Sequence, residues 1–396
     1  MVDMHQFFID KIDEAVESQR YIEASWLIYS CIENRFFRIL QKYKKQCKYC
    51  KGKSKCKKNR NELAISTKIA CVERLCENNV ECLSKSFKSE QINEIKLWVK
   101  ERKSNAGRHS YDVVMMFKIL VLQRLFNISD DQTEFQINDR MSFMRFLGLS
   151  LGDKVPDAKT IWLYRENLTK AGIIDQLFID YCKELEKNGI ITHTGTIIDA
   201  TFVDAPRQRN TREENKTIKS GEVPEEWTEN TPKAKHKLAQ EDTDARWTKK
   251  NNETHYGYKN HAKVDADSKI ITDYAVTAAS VHDSQRFSDF LNEKDKVAYA
   301  DSAYVGQKIP EHVEAQICEK GYRNHPLTEE QKQNNRRKSK IRCRIEHVFG
   351  FMTGSMNGIT VRTIGMERAA FNIGLTNLIY NMCRYSIIKR QSLSKG

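Results

Sequence analysis

The sequence predicts an α/β protein, with a mixed sheet preceded by mainly helical segments. Three observations carry this. Apolar residues return at helical spacing as far as about residue 189; extended, β-rich runs take over from Thr194; and two of those runs, Gly195 to Val203 and Val297 to Gly306, each hold an aspartate among apolar neighbours. A chain of 396 residues has room for roughly two or three domains. With 39% hydrophobic and 30% charged residues it is globular and strongly hydrated rather than disordered. The formal charge of +13 points to a polyanionic partner, nucleic acid first, while charge alone leaves ribosomal or membrane-surface roles open. No long uncharged run suggests a membrane span, and Met1 to Phe8 lacks the pattern of a secretory signal, so a cytoplasmic protein is expected.

Residues 1–101 read as a cysteine-rich, basic, mainly helical domain of uncertain role. Ala24 to Leu40 has the spacing of an amphipathic helix. Lys42 to Arg60 then carries ten Lys or Arg and no acid, a run that repels itself unless phosphate neutralises it. Seven of the 11 cysteines precede residue 83. Cys47-x-x-Cys50 with Cys56 is a weak zinc candidate, needing a fourth ligand from Cys71, Cys76 or Cys82; thiols beside a solvated loop are the other reading. Asn61 to Val99 is again compatible with helix, and a boundary is expected near Glu101 to Gly107.

Residues 107–189 form a helical DNA-binding candidate. Tyr111 to Phe126 is apolar enough for a buried helix, Ser129 or Asp130 can cap the next, and Asp157 can cap a third. The spacing of these short helices suits a helix-turn-helix reader with Lys159, Thr160, Tyr164 and Arg165 toward DNA; a helical bundle with hydrated polar residues fits equally. A further helix is expected over 171–189, ended by Gly189.

Residues 190–390 form the expected catalytic domain. Asp199 lies within the strand predicted over Thr194 to Val203, and Asp301 follows another over Lys296 to Tyr299. Glu346 lies on a cationic helical stretch four residues after Arg342, which therefore shares its face. Between the first two lies a polar stretch, about 207–252, read as an insertion or mobile loop. Its Arg207 and Arg209 are candidates for phosphate, and Trp247, flanked by cations, is a candidate to stack on an unpaired base or to anchor the insertion. His255 to Thr277 reads as two strands joined near Asp265 to Ser268, with Lys259 and Lys263 as further DNA candidates. Tyr304 to Lys320 has a helical portion by pattern, and Gly365 to Tyr385 a closing helix on which Asn372, Asn377 and Asn381 make polar contacts. Two aspartates on strands and a glutamate on a helix are a donor set for two hard divalent ions over a phosphodiester, magnesium with manganese as substitute, about 3.5–4 Å apart.

Several ordered motifs extend this. Gly107-Arg-His-Ser-Tyr-Asp112, Asp130 to Arg140, Val155 to Ile161, His255-Tyr-Gly-Tyr-Lys-Asn-His261, Tyr299-Ala-Asp-Ser-Ala-Tyr304 and Arg342 to Gly350 together resemble a bacterial DDE transposase of insertion-sequence family five, over about residues 107–390. The resemblance implies a ribonuclease-H-like core with Asp199, Asp301 and Glu346 as catalytic, metal-holding carboxylates. It also implies cleavage and strand transfer at transposon ends, double-stranded end and target DNA as partners, and a homodimeric synaptic complex. Related proteins often carry a Tyr and a Lys where this chain has Ser339 and Thr353, so those auxiliary roles are not assigned. The competing expectation is a catalytically inactive DNA-binding or regulatory protein derived from a transposase, with a metal-free scaffold as a third.

Overall fold

The computed structural model describes residues 111–393 except residue 251, with side chains to 391. The cysteine cluster with Cys47, Cys50 and Cys56, the helix expected over 24–40 and the boundary near 101–107 lie outside the described residues.

Five helices come first: α1 (Val113–Phe126), α2 (Asp130–Asp139), α3 (Met141–Leu147), α4 (Ala158–Lys170) and α5 (Ile173–Lys187). Their starts obey simple capping chemistry. The carboxylates of Asp112 and Asp157 accept the N–H groups of Met115 at 2.8 Å and Thr160 at 2.7 Å, and the Ser129 hydroxyl accepts that of Gln132 at 3.2 Å. Asn127 and Gly189, with φ of 49° and 68°, supply the left-handed turns after α1 and α5. Of the residues offered as a DNA-reading face, Tyr164 and Arg165 turn inward, while Lys159 is exposed and Thr160 half-buried. Arg165 is buried and makes a bidentate pair with Asp130 at 2.6 and 2.8 Å, and the Tyr164 hydroxyl donates to the Val113 carbonyl at 3.1 Å. Both hold the helical block together, because the α4 face that carries them packs on α1 and α2.

The sheet follows, from β1 (Thr196–Asp204), β2 (Arg246–Lys250), β3 (Glu253–Asp265), β4 (Ile271–Ala278), β5 (Val297–Ala300) and β6 (Glu314–Ile317). The order is β2-β3-β1-β5-β6, with β4 also on β3; β3 runs antiparallel to β1, β2 and β4, and β1, β5 and β6 are mutually parallel neighbours. This mixed order is that of a ribonuclease-H-like core. The hairpin expected around Asp265 to Ser268 is present, its turn held by the Asp265 carboxylate, which accepts the Ser268 N–H and hydroxyl at 2.8 and 2.7 Å.

Two segments differ from expectation. The polar stretch is not a bare loop: it folds into α6 (Arg212–Lys219), α7 (Glu225–Thr228) and α8 (Pro232–Gln240) before β2. Buried Trp227 is their centre, its indole N–H donating at 2.9 Å to Glu214, which also pairs with Lys237 and closes a capping box with Thr211. The helical portion expected after Tyr304 is instead the edge strand β6, since Gly306 at φ 85° and Pro310 break a helix there and β5 offers a parallel edge.

The short α9 (Phe287–Phe290) precedes β5, and after β6 come α10 (Glu329–Arg342), α11 (Arg344–Gly354) and the long α12 (Met366–Leu393). On one face of the sheet Ile197, Val203, Tyr258, Ala262 and Val264 join the large core built with α1, α5, α11 and α12. On the other, Ile198, Ala298 and Ala300 join a smaller cluster with Phe287, Phe290, Tyr304 and Val313. The asparagines of α12 do the polar joining. Asn377 and Asn260 exchange hydrogen bonds at 2.8 and 3.1 Å, and Asn381 bonds both the N–H and the carbonyl of Ile271, at 2.9 and 2.8 Å. Among the described residues no helix is long and apolar enough to cross a membrane.

Candidate active site and nucleic-acid surface

Strand register sets the first two carboxylates. Thr196 of β1 lies beside Ala298 of β5, and Ile197 beside Tyr299. Continued by two residues, the same register sets Asp199 next to Asp301, at the carboxyl end of the short strand β5. Side chains alternate along a strand, so both aspartates belong to the face that carries Ile197 and Tyr299. Asp301 is exposed and caps the turn after β5, accepting the Ser302 N–H at 2.7 Å. Asp199 is more enclosed and accepts the Ala200 N–H at 2.8 Å.

Glu346 arrives from the helical side. It sits in the first turn of α11, its carboxylate 58% exposed, just past the break between α10 and α11 at Cys343. Arg342, the last residue of α10, links it to the sheet: one guanidinium nitrogen lies 3.1 Å from an Asp199 oxygen and 3.6 Å from a Glu346 oxygen. Burial pushes the Asp199 carboxyl up to about 6; the Ala200 N–H and Arg342 pull the other way without winning, and the Glu346 charge adds to the rise. One guanidinium shared between two carboxylates leaves negative charge over.

Among the described residues no three His, Cys, Asp or Glu side chains are gathered closely enough to hold an ion. The chemistry of the donors nevertheless fits a hard divalent cation: all three offer carboxylate oxygen, and burial holds back ionisation of the enclosed member. The Arg342 guanidinium stands between two of them.

The basic and aromatic candidates divide. Trp247 is 40% exposed on β2, tilted against Tyr256 at 4.8 Å between centroids, with the exposed Arg207 guanidinium 5.8 Å from its ring centre. Arg209 is exposed nearby in the chain. Lys259 and Lys263 are buried. They stand opposite Phe202 and Ile198 in the β1–β3 register, so they point to the other face of the sheet from Asp199. The Lys259 ammonium pairs with Asp283 at 2.8 Å and donates to the Val281 carbonyl at 2.6 Å; that of Lys263 pairs with Asp295 at 2.7 Å and donates to the Phe290 carbonyl at 2.8 Å. Neither ammonium is presented to a ligand, which corrects the expectation from their sequence position. Between the two lysines His261 is buried against the Thr277 hydroxyl at 2.8 Å, and burial lowers its imidazole to about 4. Thr353 donates to the Phe349 carbonyl at 3.0 Å within its own helix.

Tyr304 was not singled out from sequence. It follows Asp301 by one turn, is buried, and its hydroxyl has no hydrogen-bond partner. The signal was the motif Asp301-Ser-Ala-Tyr304 itself, with a phenol at an otherwise apolar position.

The strand order, with helices packed on the sheet, is that of a ribonuclease-H-like domain. Residues 191–382 match the family model described as Transposase DDE domain, and residues 77–167 match that described as Transposase domain (DUF772). Together these matches support a DDE transposase, covering the sheet domain and the helices before it. The chain is also similar to the piggyBac transposase in a cryo-EM structure of its synaptic complex with hairpin DNA. Identity is 13% over 83% of this chain and 76% of that one, with a TM-score of 0.40.

Proposed function

We propose that this protein is a DNA transposase of insertion-sequence family five that cleaves transposon ends and joins them to target DNA. The observation that supports the reading is the β1–β5 register, which continued by two residues brings Asp199 level with Asp301, together with the Arg342 guanidinium shared between Asp199 and Glu346. Asp199, Asp301 and Glu346 would hold magnesium, two ions by the donor set, with manganese able to substitute. When bound, such ions activate water or a DNA 3′-hydroxyl and stabilise the departing oxygen.

The chain's own groups supply the rest. Arg342, planar and always charged, engages a phosphate oxygen once it is no longer shared between the two carboxylates. Arg207 and Arg209 hold backbone phosphates, and the exposed ring of Trp247 stacks on an unpaired base. Double-stranded transposon-end and target DNA are the partners, brought together by a homodimer in a synaptic complex in the cytoplasm, with residues 107–189 as the DNA-docking block.

The test is cleavage and strand transfer on DNA bearing the element's own ends, with magnesium, comparing wild type with Asp301→Ala. Products made by the wild type and lost in the variant are expected. Equal DNA binding with no cutting by either protein would instead assign a regulatory protein derived from a transposase.

A further inference from the structure

Four Lys or Arg residues are buried among the described residues: Arg124, Arg165, Lys259 and Lys263. Arg165 faces Asp130 at 2.6 Å, Lys259 faces Asp283 at 2.8 Å and Lys263 faces Asp295 at 2.7 Å. Arg124, in the last turn of α1, faces no acid. Its guanidinium donates to the Thr376 hydroxyl of α12 at 2.6 Å and to the Thr360 carbonyl at 2.9 Å, and the Nη2 nitrogen has no partner.

A second guanidinium sits at the same corner. Arg362 is exposed, and it donates to the side-chain oxygen of Asn127 at 2.8 Å and to the Asn127 carbonyl at 3.0 Å. That side-chain oxygen also accepts the Thr360 hydroxyl at 3.2 Å, so Asn127 and Thr360 between them hold both arginines. Among the described residues neither guanidinium is paired with a carboxylate. Burial, then the charges of Arg362 and Arg165, lower Arg124 to about 10. The carboxyl end of α1 supplies only about half a unit of negative charge against two full positive ones. The ties to Thr360, Thr376 and Asn127 need N–H donors and not charge, so the excess charge calls for an anion.

The place of this corner in the fold says which anion. Thr360 bridges Asp204 at the end of β1, and the Val361 N–H donates to the Asp204 carbonyl at 2.9 Å. Asp204 lies five residues beyond Asp199 on the same strand, about 17 Å away and so about five base pairs along a duplex. Arg362 uses part of its guanidinium on Asn127 and leaves its other donors to solvent.

We propose that Arg362, with Arg124 fixed behind it, binds a backbone phosphate of duplex DNA where the helical block meets the sheet. This rests on the reading of DNA as the substrate. It gives the helical block a DNA contact in place of the inward-turned Tyr164 and Arg165.

The experiment is fluorescence anisotropy of the full chain on a duplex carrying the element's own ends, without divalent metal and over a salt series. Wild type, Arg362→Gln and Arg362→Lys are compared, with thermal unfolding of each. Arg362→Gln keeps an N–H donor for Asn127 and loses the charge. It is expected to unfold with the wild type and to bind about eightfold more weakly at about 0.1 M salt, with a plot of log affinity against log salt shallower by about 0.9. Arg362→Lys should restore most of both. A wild-type slope and affinity in Arg362→Gln overturn the proposal, and if inorganic phosphate then raises the unfolding temperature of the wild type alone, the corner is a free-anion site. A wild type that does not bind the duplex removes the DNA reading and this site with it; a wild type that binds while Arg362→Gln matches it removes this site alone.

Discussion

The two faces of the central sheet bury charge in opposite ways. On one, Lys263 and Asp295 are 3% and 0% exposed, and the carboxylate also takes the Thr196 hydroxyl at 2.9 Å and the Asn292 N–H at 2.8 Å. On the other, Asp199 shares a single guanidinium with Glu346. A fully paired charge fixes the fold; an under-paired one holds affinity in reserve for something that arrives later. Strand alternation lets both kinds occupy neighbouring positions of β1 and β3 without meeting.

The largest expected effect breaks the paired face. Lys263→Met leaves the Asp295 carboxylate buried without its cation and should cost about 3–5 kcal/mol of stability. Denaturant unfolding checks it; a loss below about 1 kcal/mol would mean that Asp295 finds water.

A pH series sharpens the contrast, because the faces contribute with opposite sign. Asp199 is raised from 3.8 to about 6 in the folded state, so it takes up a proton more readily than in the unfolded chain. Its contribution is fully present below about 4 and lost as pH rises toward 6. His261 is lowered from 6.5 to about 4, so its contribution is present above about 6.5 and lost as pH falls toward 4. Each spans roughly 3 kcal/mol at most. Relative to wild type, metal-free Asp199→Asn should gain stability as pH rises from 4 to 6, and His261→Gln should gain it as pH falls through the same window. Two difference curves of the same slope would refute the assignment.

The smallest effect is at the rim. Trp247→Ala should weaken binding of single-stranded DNA by about 1–3 kcal/mol while leaving thermal unfolding nearly unchanged, since the ring is 40% exposed. Fluorescence anisotropy with a short oligonucleotide measures it, and an unchanged affinity would make Trp247 an anchor for the insertion.

How far each feature could be read from sequence follows from how local its cause is. Helix starts at Ser129 and Asp157, the hairpin at Asp265 to Ser268, the strand that holds Asp199 and the strand before Asp301 depend on neighbouring residues, and all were visible. The helices of the insertion were visible too, in Thr211-Arg-Glu-Glu214 and in Thr231 before Pro232, but polar composition outweighed those caps in the reading. β6 has no pattern of its own; Glu314 to Ile317 is a strand because β5 offers it an edge. The inward turn of Lys259 and Lys263 depends on a register with a strand about sixty residues earlier, which alternation along β3 alone does not reveal.

The most direct measurement is anomalous diffraction from crystals of the protein grown with manganese and transposon-end DNA. Manganese between Asp199 and Asp301, with Glu346 joining and Arg342 moved onto a phosphate, is the predicted result. Manganese bound elsewhere while Arg342 stays on Asp199 would contradict the account.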